Sequence, residues 1–464
     1  MSGPLSLEPG GVEADTLALR LTAPRQRRAP DDATPAKRLP GRGPEEEAVS
    51  TLAAGLAESI APAVHPYEVA ALLEAEGLSA SVIKERYGHP NLFSLATALY
   101  ERVPRTFPEP PPATDLWRPD TLRCLLRGVL FALPALAYLL TAPLWPLVRH
   151  APVLIVAGIA SWAWGQALGH RAHLRLVTGR REASGTLLTG SLLGAAVATS
   201  LAVLPADSAV AVGAAAAQSL YLAAASVLLV LARERLLLAA LSPLIAGAVA
   251  LPWWEPGPEL RAGLPLLALL ATVLAAALVL RAGRSGPAAS DAARPRLLAS
   301  LPYGLFGLAA AVLVMLEGRR QPYMVIALTL SMGPAEWLLY RYRGWSVAAL
   351  RASATPVGFM LRSAAVLGLC LSAYLLLLLP AALLTGSDAA APLLLAVVLW
   401  TALLLQAFGV AWPPAVLCLV GAAAAVTLPD MPPGPAVLPA ACAVTAVCLT
   451  ACAIHRLGRP SPHA

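Results

Sequence analysis

VLIVAGIASWAWGQALGHRAHLR, residues 153–175, decides the fold class. From Val153 to Gly169 it holds no ionisable residue, and His170, Arg171, His173 and Arg175 then follow in close order. Roughly 20 apolar residues in a helix cross the hydrocarbon of a bilayer. A helix apolar on every face has no surface to offer water, so it belongs inside lipid. The basic cluster at its end marks where the chain leaves the membrane on the side that retains arginine.

Outward from this stretch the same unit repeats. The expected spans are 128–148, 151–170, 186–204, 208–231, 235–253, 262–281, 299–317, 322–340, 361–384, 389–408, 411–429 and 435–454. The fold expected is all-α and polytopic, with about twelve transmembrane helices. Whole-chain composition agrees: 58% of the 464 residues are hydrophobic and 13% charged, against about a quarter charged in soluble domains. Only Lys37 and Lys84 are lysines, which with the heavy Ala, Leu and Pro usage points to a GC-rich bacterial genome.

Arginine placement orients the bundle. Arg171, Arg175, Arg180 and Arg181 follow the second span, Arg233 and Arg235 the fourth, Arg281, Arg284, Arg294 and Arg296 the sixth, and Arg341, Arg343 and Arg351 the eighth. Arg456 and Arg459 close the chain. The alternate gaps carry only Arg149, Arg261, Arg319 and Arg320, beside Asp207, Trp253, Trp254, Glu255, Asp388 and Asp430. Both termini are therefore expected in the cytoplasm of a bacterial inner-membrane protein.

Residues 1–44, rich in Pro, Gly, Arg and acids, read as a disordered tail. Residues 45–104 read as a small cytoplasmic helical module. Val49, Leu52, Leu56 and Ile60 share one face; Pro66 suits a first helical position; Ser79 and Asn91 are capping residues; Gly77 and Gly88 suit helix ends. SASVIKERYG offers only Lys84 and Arg86 beside Glu85, too little basic surface for a DNA-recognition helix, so a protein partner rather than nucleic acid is expected. Residues 105–126 form a Pro-rich linker. The first six-helix half is 127–281, a cytoplasmic linker 282–298, the second half 299–455 and a tail 456–464.

The two halves carry a weak internal repeat. Residues 153–175 align roughly with MVIALTLSMGPAEWLLYRYRGWS, residues 324–346, and at an offset of about 170 Gln166 corresponds to Glu336. An even number of spans per half makes the halves parallel repeats about an axis along the membrane normal. Twelve spans in two halves, the basic loop HRAHLRLVTGRRE and the segment LSMGPAEWLLYRYR together resemble the MOP flippase superfamily, the multidrug/oligosaccharidyl-lipid/polysaccharide exporters, over about residues 125–455. The resemblance is to the exopolysaccharide-exporting branch. It implies alternating access and a lipid-linked or polymeric sugar as substrate. The N-terminal module departs from the usual layout. The first span, GVLFALPALAYLLTAPLW, lacks the acidic residue that drug antiporters of the superfamily often carry, which disfavours drug antiport.

Ionisable and polar groups inside spans are the candidate substrate path. Glu336 either serves that path or pairs with Arg341 or Arg343 near the interface. Gln166, Gln218 and Gln406 either bond sugar hydroxyls or link helices. Trp162, Trp164, Trp337 and Tyr323 either stack on sugar or anchor at the interface. Arg319, Arg320 and Arg362 either meet an anionic substrate or follow ordinary loop placement. Prolines 134, 243, 265, 302, 334 and 380 are candidate breaks. His170 and His173 lie in the basic loop. The six cysteines show no CxxC or ligand spacing and read as small apolar side chains. With no P-loop and no metal or catalytic set, no cofactor and no metal are expected, and the chain reads as a non-enzyme. Two alternatives remain: a membrane subunit or enzyme of cell-envelope glycan synthesis, and a noncatalytic scaffold that recruits a partner through 45–104.

Overall fold

The inside-out arrangement of α12, Pro258–Arg284, shows what solvent this chain is built for. Leu266, Leu270, Leu274 and Leu278 recur every four residues on its outer face and are 54–66% exposed. The opposite stripe, Ala268, Thr272 and Ala276, is buried. A helix in water puts its leucines inside; small residues inside and leucine outside is the pattern of a helix packed in lipid. An exposed leucine stripe of that length on a soluble protein would drive association.

The computed structural model describes residues 43–104, 118–286, 296–384, 389–428 and 437–463. The expected tail 1–44 for all but its last two residues, most of the Pro-rich linker, the middle of the 282–298 linker, Asp388 and Asp430 lie outside the described residues. Every described element is helical. The chain divides into two compact units, one holding 12–115 and the other the remainder from 116 onward.

In the first unit, α1 (Pro44–Gly55), α2 (Ala57–Ile60), α3 (Pro66–Ala75), α4 (Ala80–Tyr87) and α5 (Leu92–Arg102) enclose one core. Val49, Ile60, Val69, Leu73, Ile83, Leu95 and Leu99 are almost fully buried in it. The helix ends follow local chemistry. Ser79 accepts from Val82 N, Asn91 accepts from Ser94 N, and Gly88 ends α4 at φ +68°, where a side chain is disfavoured. Tyr100 donates its hydroxyl to Val64 O at 2.6 Å, tying the last helix to the α2–α3 turn.

The second unit is a multi-pass membrane bundle: α6 (Thr121–Ala132), α7 (Ala135–Thr141), α8 (Leu147–Leu176), α9 (Arg180–Ala202), α10 (Ala209–Val230), α11 (Glu234–Ala250), α12, α13 (Leu301–Arg320), α14 (Pro322–Leu330), α15 (Met332–Arg351), α16 (Pro356–Leu384), α17 (Ala390–Ala407), α18 (Trp412–Thr427) and α19 (Val437–Leu457). Among the described residues, nine helices are long and apolar enough to cross a membrane. The expected count of twelve is met only to that extent. The fifth and eleventh expected spans are α11 and α18, helices of 17 and 16 residues, and the eighth is broken into α14 and α15.

The expected first span, 128–148, is shifted. Its helix starts at Thr121, because Asp120 caps it by accepting from Arg123 N, and it is interrupted before Ala135. Pro134 has no amide proton for the helical ladder. Pro334 acts in the same way in the broken eighth span, where it cannot donate to Leu330 O. Pro302 sits in the first turn of α13, whereas Pro243, Pro265 and Pro380 are carried inside continuous helices.

Two separate cores follow the division into halves. One gathers buried side chains of α6 to α12, the other those of α13 to α19. The halves meet at two close crossings. In the α8–α13 crossing, a Cβ on Gly307 would lie 3.1 Å from Ala163 Cα, and one on Gly304 3.1 Å from Ala167 Cβ. In the α6–α15 crossing, a Cβ on Gly128 would fall 2.6 Å from Leu330 O and one on Gly333 2.5 Å from Cys124 O. Without hydrophobic drive between helices in lipid, such backbone-to-backbone approach is the main source of packing energy.

Candidate functional site

The two crossings leave a space between the halves. A cavity of about 440 Å³ is lined from the first half by Tyr138 of α7, α8 from Ala151 to Gln166, and Gln218 and Leu222 of α10. The second half supplies α13 from Phe306 to Met315, Val325, Leu328 and Thr329 of α14, Met332, and Leu399 and Leu403 of α17. Corresponding elements of the two halves thus face each other across it. The break at Ser331 lies in this wall. Ser331 Oγ bonds Leu328 O at 2.8 Å and Tyr374 Oη at 2.9 Å, which satisfies polar groups that a broken helix would otherwise leave unpaired in lipid.

The lining is mostly apolar, and no charged side chain contributes to it. Gln218 Nε2 donates to Leu154 O at 3.2 Å. Gly158 faces that amide so closely that a Cβ there would stand 3.0 Å from Nε2. Gln218 Oε1 and Trp162 Nε1 are buried without a partner among the described residues.

The cavity lies toward the arginine-poor end of the bundle, since its lining on α8 begins at Ala151. Beyond Gln166 the same helix packs against the start of the second half. His170 stacks on Tyr303 with ring centroids 3.8 Å apart, and His170 Nδ1 shares a 3.0 Å hydrogen bond with Ser300 Oγ. The starts of α6 and α11, at the same end of the bundle, carry a charge-balanced network. Arg127 reaches Glu336 Oε1 at 2.5 Å and, through Nη2, Glu234 Oε1 at 2.8 Å. Arg123 Nε reaches the same Glu234 oxygen at 2.9 Å. Two cations and two carboxylates so bind the starts of α6 and α11 to α15. The Glu234 and Glu336 side chains are only 7% and 10% exposed. Burial on that scale makes the pairing obligatory, because an isolated charge there would go uncompensated.

The other end carries a lighter contact. Arg149 Nε donates to Asp207 Oδ2 at 2.7 Å, and His150 Nδ1 lies 3.1 Å from Asp207 Oδ1, with Trp145 stacked on His150. The hydrogen bond from Arg149 holds the Asp207 carboxyl below the usual aspartate range.

Of the residues singled out by sequence, the structure brings Gln166, Gln218 and Trp162 together in the cavity wall. Glu336 stands apart from it, and its partner is Arg127, not Arg341 or Arg343. Those two arginines lie instead over the rings of Trp337 and Phe408, at 4.9 and 5.2 Å. Gln406 is buried in α17 away from the cavity. Arg319 and Arg320 are exposed at the end of α13. Arg362 donates to Ala352 O and steadies the α15–α16 turn. Trp164 donates to Gly190 O at 2.8 Å, a contact between helices, and Trp337 Nε1 donates to Thr121 Oγ1. Sequence reasoning missed Arg123, Arg127 and Glu234. A signal was present: two arginines one helical turn apart at the mouth of an apolar run, and an acid between Arg233 and Arg235 in a loop otherwise basic.

No family model matches the chain, and no curated protein matches it. A search of solved structures returns a MATE protein crystallised in the bent conformation, with 15% identity over 73% of this chain and 91% of that one, at a TM-score of 0.38. A likeness of that size does not establish a shared fold.

Proposed function

We propose that this chain is a membrane transporter that works by alternating access between its two halves. The observation that carries the reading is the asymmetry of the space between them: a cavity toward the arginine-poor end, and stacked rings and a buried ion network closing the arginine-rich end. Positive-inside placement supports a closed end that faces the cytoplasm of a bacterial inner membrane, with both termini on that side. A 440 Å³ space is in the range of small-molecule sites, and it is lined alike by the two halves that would rock about it.

The substrate class we assign is amphipathic and lipid-borne, a lipid-linked oligosaccharide being the form the sequence resemblance suggests. The mostly apolar lining supports a lipid-borne molecule over a free polysaccharide strand, whose hydroxyls would meet few polar groups there. The helical unit of α1–α5 is proposed to recruit a cytoplasmic protein. Nine glutamates against Lys84, Arg86 and Arg102 within 43–104 set its charge against a phosphate backbone.

The test is transport by the full chain in liposomes, using a fluorescent lipid-linked disaccharide whose exposure to a quencher reports the leaflet. Protein-dependent translocation that is slowed by filling the cavity with Ala311→Trp is expected. Synthesis of the lipid-linked sugar from precursors, with no translocation of any amphiphile, would establish the enzyme reading in its place.

A further inference from the structure

At the arginine-rich end α9 begins and α12 finishes side by side, and four exposed arginines gather there. Arg180 and Arg181 open α9, and Arg281 and Arg284 lie in the last turn of α12. The two helix ends touch at Gly283, where a Cβ would collide with Ser184 Oγ and stand 3.8 Å from Arg180 O. Arg181 Nη1 donates to Gly286 O at 3.4 Å across the same crossing. Among the described residues no carboxylate pairs with any of the four. The acid in the first turn of α9, Glu182, has its Oε2 buried against Gly179. With that charge counted against the four arginines, the crossing keeps three positive charges in excess.

Helix stability does not explain the cluster. Arg281 and Arg284 complement the carbonyl end of α12, but Arg180 and Arg181 stand at the amide end of α9, where the backbone dipole is already positive. Positive-inside placement accounts for the sign of these residues and not for their gathering at one crossing. Other arginines of this end are engaged within the protein: Arg123 and Arg127 by Glu234 and Glu336, Arg341 and Arg343 by aromatic faces, Arg362 by Ala352 O. The cluster also crowns an apolar surface. The exposed stripe Leu266, Leu270, Leu274 and Leu278 runs up to Arg281, one turn beyond its last member. On α9 the exposed Leu192 stands three turns from Arg181 on the same face.

We infer that this crossing binds an anionic phospholipid carrying two phosphates, with the phosphates among Arg180, Arg181, Arg281 and Arg284 and the acyl chains along the leucine faces of α9 and α12. The paired N–H donors of a guanidinium match phosphate oxygens. One phosphodiester would leave two of the three excess charges unbalanced, whereas two phosphates leave one. A soluble anion would match the charges but leave the leucine faces unused. The bound lipid holds α9 to α12 by countering the repulsion among arginines that the crossing brings together.

The experiment measures binding to the full chain in dodecylmaltoside by native mass spectrometry, with tetraoleoyl-cardiolipin, dioleoyl-phosphatidylglycerol, dioleoyl-phosphatidylcholine and inorganic pyrophosphate as probes. One cardiolipin is expected to bind, with phosphatidylglycerol about fivefold and phosphatidylcholine about thirtyfold weaker, on the scale of a fivefold effect per charge. Arg181→Gln/Arg281→Gln should weaken cardiolipin about thirtyfold, while Arg351→Gln/Arg456→Gln, which removes as much charge from the same end, should change it by less than about twofold. Cardiolipin should also raise the thermal midpoint of the native chain and not that of Arg181→Gln/Arg281→Gln. Equal losses in the two double variants, or equal affinity for cardiolipin and phosphatidylcholine, would overturn the site. Phosphatidylglycerol as tight as cardiolipin would overturn the two-phosphate assignment, and pyrophosphate as tight as cardiolipin would replace the lipid by a soluble anion.

Discussion

Removing Arg127 alone should do more damage than removing Arg127 and Glu336 together. Among the described residues, the Arg127 guanidinium links the two carboxylates, at 2.5 Å to Glu336 and 2.8 Å to Glu234. Arg127→Met strands Glu336, whose side chain is 10% exposed, while Glu234 keeps Arg123 at 2.9 Å. Breaking a buried pair from one side costs about 3–5 kcal/mol. Glu336→Leu removes one bond to a charged group but leaves Arg127 on Glu234, so about 1.5–3 kcal/mol is expected. The double variant Arg127→Met/Glu336→Leu leaves no orphan, and apolar replacement of a buried pair is often close to neutral. The double-mutant cycle should therefore give a coupling of at least about 4 kcal/mol. Reversible unfolding of the full chain in dodecylmaltoside titrated with sodium dodecyl sulfate measures it. A loss below about 1 kcal/mol for Arg127→Met, or a double variant that loses the sum of the two singles, would refute the reasoning.

Three further outcomes follow from particular residues. Ala232, in the turn before Glu234, has φ +57°, which costs an L-residue roughly 1–2 kcal/mol; after the unfolded-state penalty of glycine, Ala232→Gly should raise stability by about 0.5–1 kcal/mol in the same titration. Gly333→Val should weaken the α6–α15 crossing by at least about 1–3 kcal/mol, since its Cβ would fall 2.5 Å from Cys124 O with only backbone to yield, whereas Gly263→Ala on α12, with open space around it, should lose much less. Asp207 has a lowered carboxyl pKa, so its contribution is fully present above the ordinary value of 3.8 and is lost as the pH falls through the lowered value; thermal midpoints of the native chain and Asp207→Asn should differ at neutral pH and converge below pH 3.8.

The membrane character of the chain was legible because it depends on a one-dimensional property, the length of uncharged runs such as 153–169. Helix ends set by a single side chain, such as Ser79, Asn91 and Gly88, were legible for the same reason. What the sequence hid lies in three dimensions. Arg127 and Glu336 are far apart in the chain, whereas Arg341 and Arg343 share a helix with Glu336, so the sequence offered only those two as partners beside a role in the substrate path. Those arginines are instead drawn to the faces of Trp337 and Phe408. The glutamines show the same limit. Gln166, Gln218 and Gln406 look alike along the chain, and only the packing separates the two that line the cavity from the one that does not. The break at Ser331 was half visible. Pro334 advertised a missing amide, but the broken helix is kept in place by the Tyr374 hydroxyl from another helix.

Labelling of Thr329→Cys in a chain freed of its six native cysteines tests the central claim most directly. Thr329 lines the cavity, and a membrane-impermeant maleimide applied to right-side-out or inside-out vesicles reports which end it opens to. Reaction from the arginine-poor side alone, with reaction from the other side appearing only when Arg127→Met loosens the closed end, is the predicted result. Reaction from the arginine-rich side in the intact network, or from both sides at once, would contradict it.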